Sequence, residues 1–192
     1  MLETYIGLVE VGVGLLPGGG GCKEFALRAA QEARGDVFAA LKDYFMAIAT
    51  AKVGTSALEG QEIGYLKKTD TVVFNAYELL HIAKQEALAM AEAGYRPPLK
   101  VKGFPVAGRS GAASIKGQLV NMLEGHFISK HDFTIASLIA DVMTGGDVEA
   151  GTLVDEQWIL DLERKAFMTL LKNPLSQARI ANMLTTGKPL RN

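Results

Sequence analysis

Only one cysteine, Cys22, occurs in the chain. No disulfide can form within it, and a lone thiol fits an intracellular, reducing compartment. No stretch reaches the ~20 uninterrupted apolar residues of a membrane-spanning helix. A secretory signal is missing too, because Glu3 and Glu10 interrupt the place where its apolar block would lie. Neither sign of charge dominates. The formal net charge is −1, which argues against nucleic acid or a strongly acidic partner. Internal repeats and low-complexity tracts are absent. The chain therefore reads as cytoplasmic and soluble. Its 192 residues, 48% hydrophobic and 21% charged, suffice for one domain or one and a half with a sizeable core.

What the chain does have is glycine, concentrated near its start. Gly7-Leu8-Val9-Glu10-Val11-Gly12-Val13-Gly14-Leu15-Leu16-Pro17-Gly18-Gly19-Gly20-Gly21 leads directly into a helical pattern. The run reads as a short strand over residues 5–11, a glycine turn and a helix start. It begins at the seventh residue yet has the character of a domain interior. The chain is therefore expected to be the C-terminal part of something larger, with Met1 a start codon on a mid-domain sequence.

Apolar spacing of three and four predicts helices over about 20–33, 36–51, 55–63 and 75–93. Asp36 caps the second, and Asn75 with Glu78 resembles a capping box for the fourth. Residues 64–73 read as a turn and a short strand. Tyr95-Arg96-Pro97-Pro98 cannot continue a helix, so a boundary is placed there, dividing the chain into 1–95 and 96–192. Beyond it come helices over about 111–124, 131–144, 155–172 and 175–186, with Gly145-Gly146 and Asn173-Pro174 as turns. The fold class is α/β, strongly dominated by helix. Its few short strands cannot close a sheet by themselves.

Each chemical candidate has a structural alternative. Four glycines before a helix expose amides that suit an anion or a polarised oxygen, or simply make a tight turn. A dinucleotide fingerprint would need glycine where Pro17 stands. A phosphate loop would need Gly-Lys-Ser/Thr, whereas Cys22 precedes Lys23 and Glu24 follows it. Glu10, between Val9 and Val11, is either a general acid or base with its pKa raised by burial, or an edge residue facing water. Cys22 near a helix start would have a lowered pKa. With no histidine close in sequence, it reads as a small packed residue. His126 and His131 are not at a zinc-helix spacing, so no metal site is expected. Trp158, Ile159, Leu162, Ala166, Phe167 and Leu170 form a helix core or a helix–helix seam, not a cofactor box.

Charge is segregated along the second half. Eight acids and no Lys or Arg occur from Asp132 to Glu163, then six bases and no acidic side chain from Arg164 onward. Two solvated helix faces would explain this, as would a basic tail meeting an anionic ligand or a neighbouring subunit.

The segment from Gly7 to Glu24 resembles the second catalytic segment of the crotonase (enoyl-CoA hydratase/isomerase) superfamily, approximately Pro-Glu-x-x-x-Gly-x-x-Pro-Gly-x-Gly-Gly. Glu163-Arg164-Lys165-Ala166-Phe167 through Gly187-Lys188-Pro189-Leu190 is similar to that family's closing helices. Ala93-Gly94-Tyr95-Arg96-Pro97-Pro98 and the ending Thr186-Gly187-Lys188-Pro189-Leu190-Arg191-Asn192 look most like bacterial 3-hydroxyacyl-CoA dehydrogenases of fatty-acid β-oxidation that carry a hydratase-like region at their C-terminus. The resemblance spans essentially the whole chain. Its glycine segment is specific, and residues 99–155 match only at the level of this subgroup.

The resemblance implies a truncated crotonase-like fold with a helical C-terminal section that drives homo-oligomerisation. It implies a coenzyme A thioester as substrate, with water added to or lost from a 2-enoyl-CoA. Glu10 would be one of two acid–base carboxylates. Gly18, Gly19, Gly20 and Gly21 would shape the wall beside the thioester, and Lys188 would approach the phosphates of CoA. The family's other glutamate and its oxyanion amides precede this segment, as does the NAD-binding domain of the dehydrogenase. The chain is thus expected to be inactive alone, as oxyanion stabilisation is usually the largest catalytic term. A non-catalytic helical assembly module retaining the motif is the rival expectation. A phosphate binder using the amides of Gly19 to Cys22 is the third.

Overall fold

The computed structural model describes residues 3–99 and 102–192. Met1, read above as a start codon, lies outside the described residues. The protein is helix-dominated with a few two-residue strands. It divides into two compact units. One comprises the described residues of Met1–Gly7 and Val53–Lys100, the other Leu8–Lys52 and the described residues of Val101–Asn192. This grouping differs from a division at 95/96, because residues 8–52 pack with the C-terminal helices.

In the smaller unit, β1 (Ile6–Gly7) pairs antiparallel with β2 (Val53–Gly54), Ile6 opposite Gly54. Helix α3 (Ala57–Ile63) starts where the Ser56 hydroxyl accepts from the Glu59 amide at 3.1 Å. The strand expected within 64–73 does not form. Asp70 instead closes a turn, its carboxylate accepting from the Lys67 amide at 2.8 Å. Lys67, Lys68, Thr69 and Asp70 are exposed, and so polar a run offers no face to bury in a sheet. Asn75 caps only a single 3₁₀ turn (Ala76–Glu78), and α4 (Leu79–Glu92) follows it. No residue of α4 is buried.

The larger unit holds the main core. Helix α1 (Gly21–Glu32) lies against α2 (Val37–Ala49), α6 (Lys130–Met143) and α7 (Glu156–Leu171), and α5 (Gly108–Glu124) covers α6. Leu16, Leu41, Ile48, Ile135, Ile139, Met143, Ile159 and Leu170 are fully buried. Each such side chain contributes about 1.5–3 kcal/mol by leaving water. Local chemistry sets the helix ends. Asp36 accepts from the Ala39 amide, Ser129 and Asp132 form a reciprocal capping box, and Asp155 accepts from the Trp158 amide. Helix α8 (Pro174–Thr186) starts with Asn173 as its cap and proline in its first turn. A second small ladder, β3 (Phe104–Pro105) with β4 (Leu153–Val154), has no counterpart in the sequence reading.

The predicted strand over 5–11 is corrected. Extended pairing stops at Gly7, and residues Glu10–Val13 form a 3₁₀ turn. The Leu15 amide donates to the Glu10 carbonyl at 3.0 Å and closes the loop. Gly14, at φ +82°, then reverses the chain. That backbone conformation is costly for any residue with a Cβ.

Candidate functional site

Glu10 thus stands on a 3₁₀ turn and not in a buried strand. The residue is half-buried. Its Oε2 atom is fully buried and has no hydrogen-bond partner among the described residues. Beyond Gly14, Leu15, Leu16 and Pro17 are buried, while Gly18 and Gly19 are exposed. Steric demands account for two of the four glycines. A Cβ on Gly18 would come within 2.7 Å of the Phe167 ring, and one on Gly21 within 2.8–2.9 Å of Leu8 and Pro17. Gly20, at φ +94°, turns the chain into α1, and Gly19 borders open space.

The amides at the start of α1 are already engaged. Glu163, from α7, accepts from the Gly20 amide at 2.6 Å, the Cys22 amide at 3.0 Å and the Lys23 amide at 3.2 Å. At Gly20, Cys22 and Lys23 the anion that the sequence left unspecified is the chain's own carboxylate, which argues against the phosphate-binder reading. Glu163 is 1% exposed. Burial pushes its carboxyl above the usual carboxylate range, against the pull of the three amides and of Lys23. Raised in the folded state, Glu163 stabilises the fold most when protonated below the ordinary value. That contribution is lost as pH rises through the folded-state value.

Cys22 feels the charge of both glutamates. It is fully buried, and burial pushes its thiol well above its usual range. The charge of Glu163, the charge of Glu10 and a hydrogen bond to Glu163 push it further in the same direction. This reverses the lowered pKa expected of a thiol at a helix start, because the thiol is buried and, secondly, because a carboxylate sits at the helix end. In the native protein, alkylation of Cys22 by iodoacetamide should be at least about 100-fold slower than in the unfolded chain. A native rate within a few-fold of the unfolded rate would contradict this placement.

The Glu10 turn is also held from its other side. The Ser176 hydroxyl on α8 donates to the Gly14 carbonyl at 2.5 Å, and His131 of α6 lies 2.9 Å from the Ser176 oxygen through Nε2. With the hydroxyl proton committed to Gly14, Nε2 is assigned as the donor to Ser176. Burial first, then the charge of Arg179, lowers the pKa of His131 and favours this neutral form, against the opposing charge of Asp132. Beside it lies Arg179, 2% exposed. It donates to Asp132 Oδ1 at 2.7 Å, to Asn192 Oδ1 at 2.8 Å and to the Asn192 main-chain oxygen at 3.2 Å. This base from the C-terminal stretch is internal, whereas the sequence reading offered for such bases either a solvated face or a tail meeting an anionic ligand or a neighbouring subunit.

Lys188 is exposed and held through its main chain. Its amide donates to the Thr186 hydroxyl at 3.1 Å, and its carbonyl accepts from the Asn182 amide group at 2.7 Å. The bonds described around the Glu10 turn do not involve it. A half-open cavity of about 340 Å³ lies elsewhere in the unit, lined by Ala30, Ala33, Phe38 and Val106 among others, and by neither Glu10 nor the Gly18–Gly21 run.

Sequence reasoning missed Glu163, Ser176, His131, Arg179 and Asp132 as members of one assembly. Glu163 carried a signal. It falls in the buried stripe of α7 with Ile159, Ala166 and Leu170, and an acid in such a stripe is costly unless paired. The partners of the other four become neighbours only through tertiary packing.

The chain is 46% identical over 190 residues to a Bacillus subtilis (strain 168) protein named "Probable 3-hydroxyacyl-CoA dehydrogenase". The alignment covers 99% of this chain and 24% of that protein, so the chain spans about a quarter of its relative's length. No protein-family model matches, and no solved structure matches. No helix among the described residues is long and apolar enough to cross a membrane.

Proposed function

We propose that this segment supplies Glu10 as one of two acid–base carboxylates acting on a 2-enoyl-CoA thioester, within a cytoplasmic enzyme of fatty-acid β-oxidation. The observation that carries the reading is the buried, unpartnered Oε2 of Glu10 inside the crotonase-like segment. A buried carboxylate oxygen without a donor is costly, and such groups concentrate where they are used. In hydration, the water oxygen bonds to C3 and a proton is delivered to C2, so that the C2–C3 double bond is consumed. The product is a 3-hydroxyacyl-CoA, the thioester that the relative's printed name gives as a dehydrogenase substrate.

The site also limits what the chain does alone. The amides of Gly20, Cys22 and Lys23 hold Glu163, so they are not free to polarise a thioester carbonyl. Oxyanion donors and the second carboxylate would come from polypeptide outside these residues. NAD would belong to that part as well. Gly18 and Gly19, both exposed, remain the proposed wall beside the thioester. Lys188 remains the proposed contact to the phosphates of CoA, and residues 96–192 the proposed oligomerisation section.

The test is hydration of crotonyl-CoA. It would be measured for this chain alone and for the Bacillus subtilis relative carrying this chain in place of its matching residues. Activity is expected only in the chimera, falling by on the order of 10³-fold in Glu10→Gln. An active chimera indifferent to Glu10→Gln would overturn the reading. A second reading, a non-catalytic helical assembly module, is favoured by α4, where Leu80 is 83% exposed and Tyr77, just before the helix, is 98% exposed. A folded, oligomeric and inactive chimera would support it.

A further inference from the structure

We infer that Glu163 is a positioning residue for Glu10, fixing from α7 the glycine turn and the start of α1 that follow the Glu10 turn in the chain. This deepens the reading of Glu10 as an acid–base group and rests on it. The start of α1 has no side-chain cap of its own, because its capping position is Gly20. The cap comes instead from a residue 143 positions away in sequence, whose two oxygens take three amides. One carboxylate therefore determines where α1 begins, and with it the path from Pro17 to Cys22.

The link to Glu10 runs through Gly21 and Cys22. The Cys22 amide donates to Glu163 Oε2 at 3.0 Å, and the side chain of Leu8, two residues before Glu10, packs on Gly21, where a Cβ would stand 2.8 Å from it. The charges of both glutamates act on the buried Cys22 thiol. The charged group acting on Glu163 is Lys23 of α1. The Lys23 ammonium is tied to Glu24 at 3.2 Å and to Glu156 at 2.9 Å. On the opposite side, Ser176 and His131 hold the Gly14 carbonyl. The stretch from the Glu10 turn to the start of α1 is therefore bracketed by two contacts from the C-terminal helices, Ser176 at Gly14 and Glu163 at Gly20, Cys22 and Lys23. Removing Glu163 frees one end of that bracket while leaving the other intact.

The experiment uses the 192-residue chain labelled with ¹³C at glutamate carboxyls, the Glu10 signal being assigned by its loss in Glu10→Gln. Glu163→Ala, Glu163→Gln and, as a control in the same helix, Ile159→Ala are compared at neutral pH. The expected result is a displaced Glu10 carboxyl signal in both Glu163 variants and an unmoved one in Ile159→Ala, although all three lower Tm. In Glu163→Ala, sodium acetate, but not sodium chloride at equal concentration, returns the signal toward its wild-type position by refilling the three amides. Cys22 alkylation is about tenfold faster in both Glu163 variants than in wild type. A Glu10 signal that stays in place in both Glu163 variants would overturn the inference and reduce Glu163 to a helix cap. Glu163→Gln keeps the side-chain volume and one acceptor, so the comparison survives if Glu163→Ala does not fold. No substrate enters these readouts, so a failed hydration assay and a failed positioning test are separate results.

Discussion

Replacing Arg179 by methionine is expected to lower the stability of the fold by about 3 kcal/mol, or Tm by about 10 °C. Methionine retains much of the side-chain volume but none of the donors. The loss leaves Asp132 Oδ1 without its 2.7 Å partner, and the side-chain and main-chain oxygens of Asn192 without their guanidinium donors. Arg179 is 2% exposed, so water does not replace what is removed. Most of the penalty is that of a partly buried carboxylate left without its cation, not the net worth of the pair. Asp132→Asn combined with Arg179→Met should therefore recover a substantial part of the loss. A double variant no more stable than Arg179→Met, or a single variant within 1 kcal/mol of wild type, would contradict this account.

The pH dependence has a definite sign. Burial raises the pKa of Asp132, but the Ser129 amide and the Arg179 bond outweigh it, and the folded-state value lies below the ordinary one of 3.8. A depressed carboxyl stabilises the fold above the unfolded value and ceases to do so as pH falls through the folded one. His131 acts in the same direction. Its folded pKa lies below 6.5, so the unfolded chain takes up the proton first on acidification and stability falls. Arg179 contributes to both shifts. Thermal melts from neutral pH to pH 3 should therefore show the gap between wild type and Arg179→Met narrowing as the solution is acidified. A gap that widens would be inconsistent with the bonds described.

Gly14→Ala is the second change with a large expected effect, a loss of about 3 kcal/mol or more. At φ +82° an alanine is strained by about 1–2 kcal/mol. Its Cβ would stand 2.9 Å from the Cα of Ser176 and 3.1 Å from Cδ of Arg179. The nearer atom is helix backbone, so relief requires the start of α8 to move. That movement would stretch the Ser176 bond to the Gly14 carbonyl and disturb the seat of Arg179. Gly12→Ala is the matched control. It lies two residues earlier in the same turn with nothing within 4 Å of a Cβ. Its expected effect is about 0.5 kcal/mol or less. Denaturant unfolding of the two variants in parallel decides the matter. Equal losses would mean that the turn tolerates a Cβ at Gly14, and that α8 is not seated on it as described.

The glycine-run reading and its outcome show where sequence pattern stops being informative. The pattern correctly placed the start of α1, and the periodic segments behind it became α1, α2, α3 and α5 to α8 close to their expected bounds. Such elements depend on interactions three and four residues apart, which a sequence displays directly. The short strands fared worse. β3 and β4 went unnoticed, and residues 5–11 were read as one strand. A two-residue strand exists only through its partner, and Gly12 and Gly14 broke the extended path after Gly7.

The candidate site divides in the same way. Glu10 and the four glycines were visible because they are contiguous and chemically unusual. That the amides of Gly20, Cys22 and Lys23 are closed by Glu163, that Ser176 and His131 hold Gly14, and that Arg179 is internal could not be read locally. Each depends on two groups far apart in the chain meeting within 3.5 Å. By itself the sequence determined most of the helices, the Asp36 cap of α2, the glycine turn and a carboxylate at position 10. The tertiary structure alone decided which carboxylate meets which amides. That outcome follows from how α7 and α8 pack on the larger unit, and packing is a property of surfaces assembled from the whole chain.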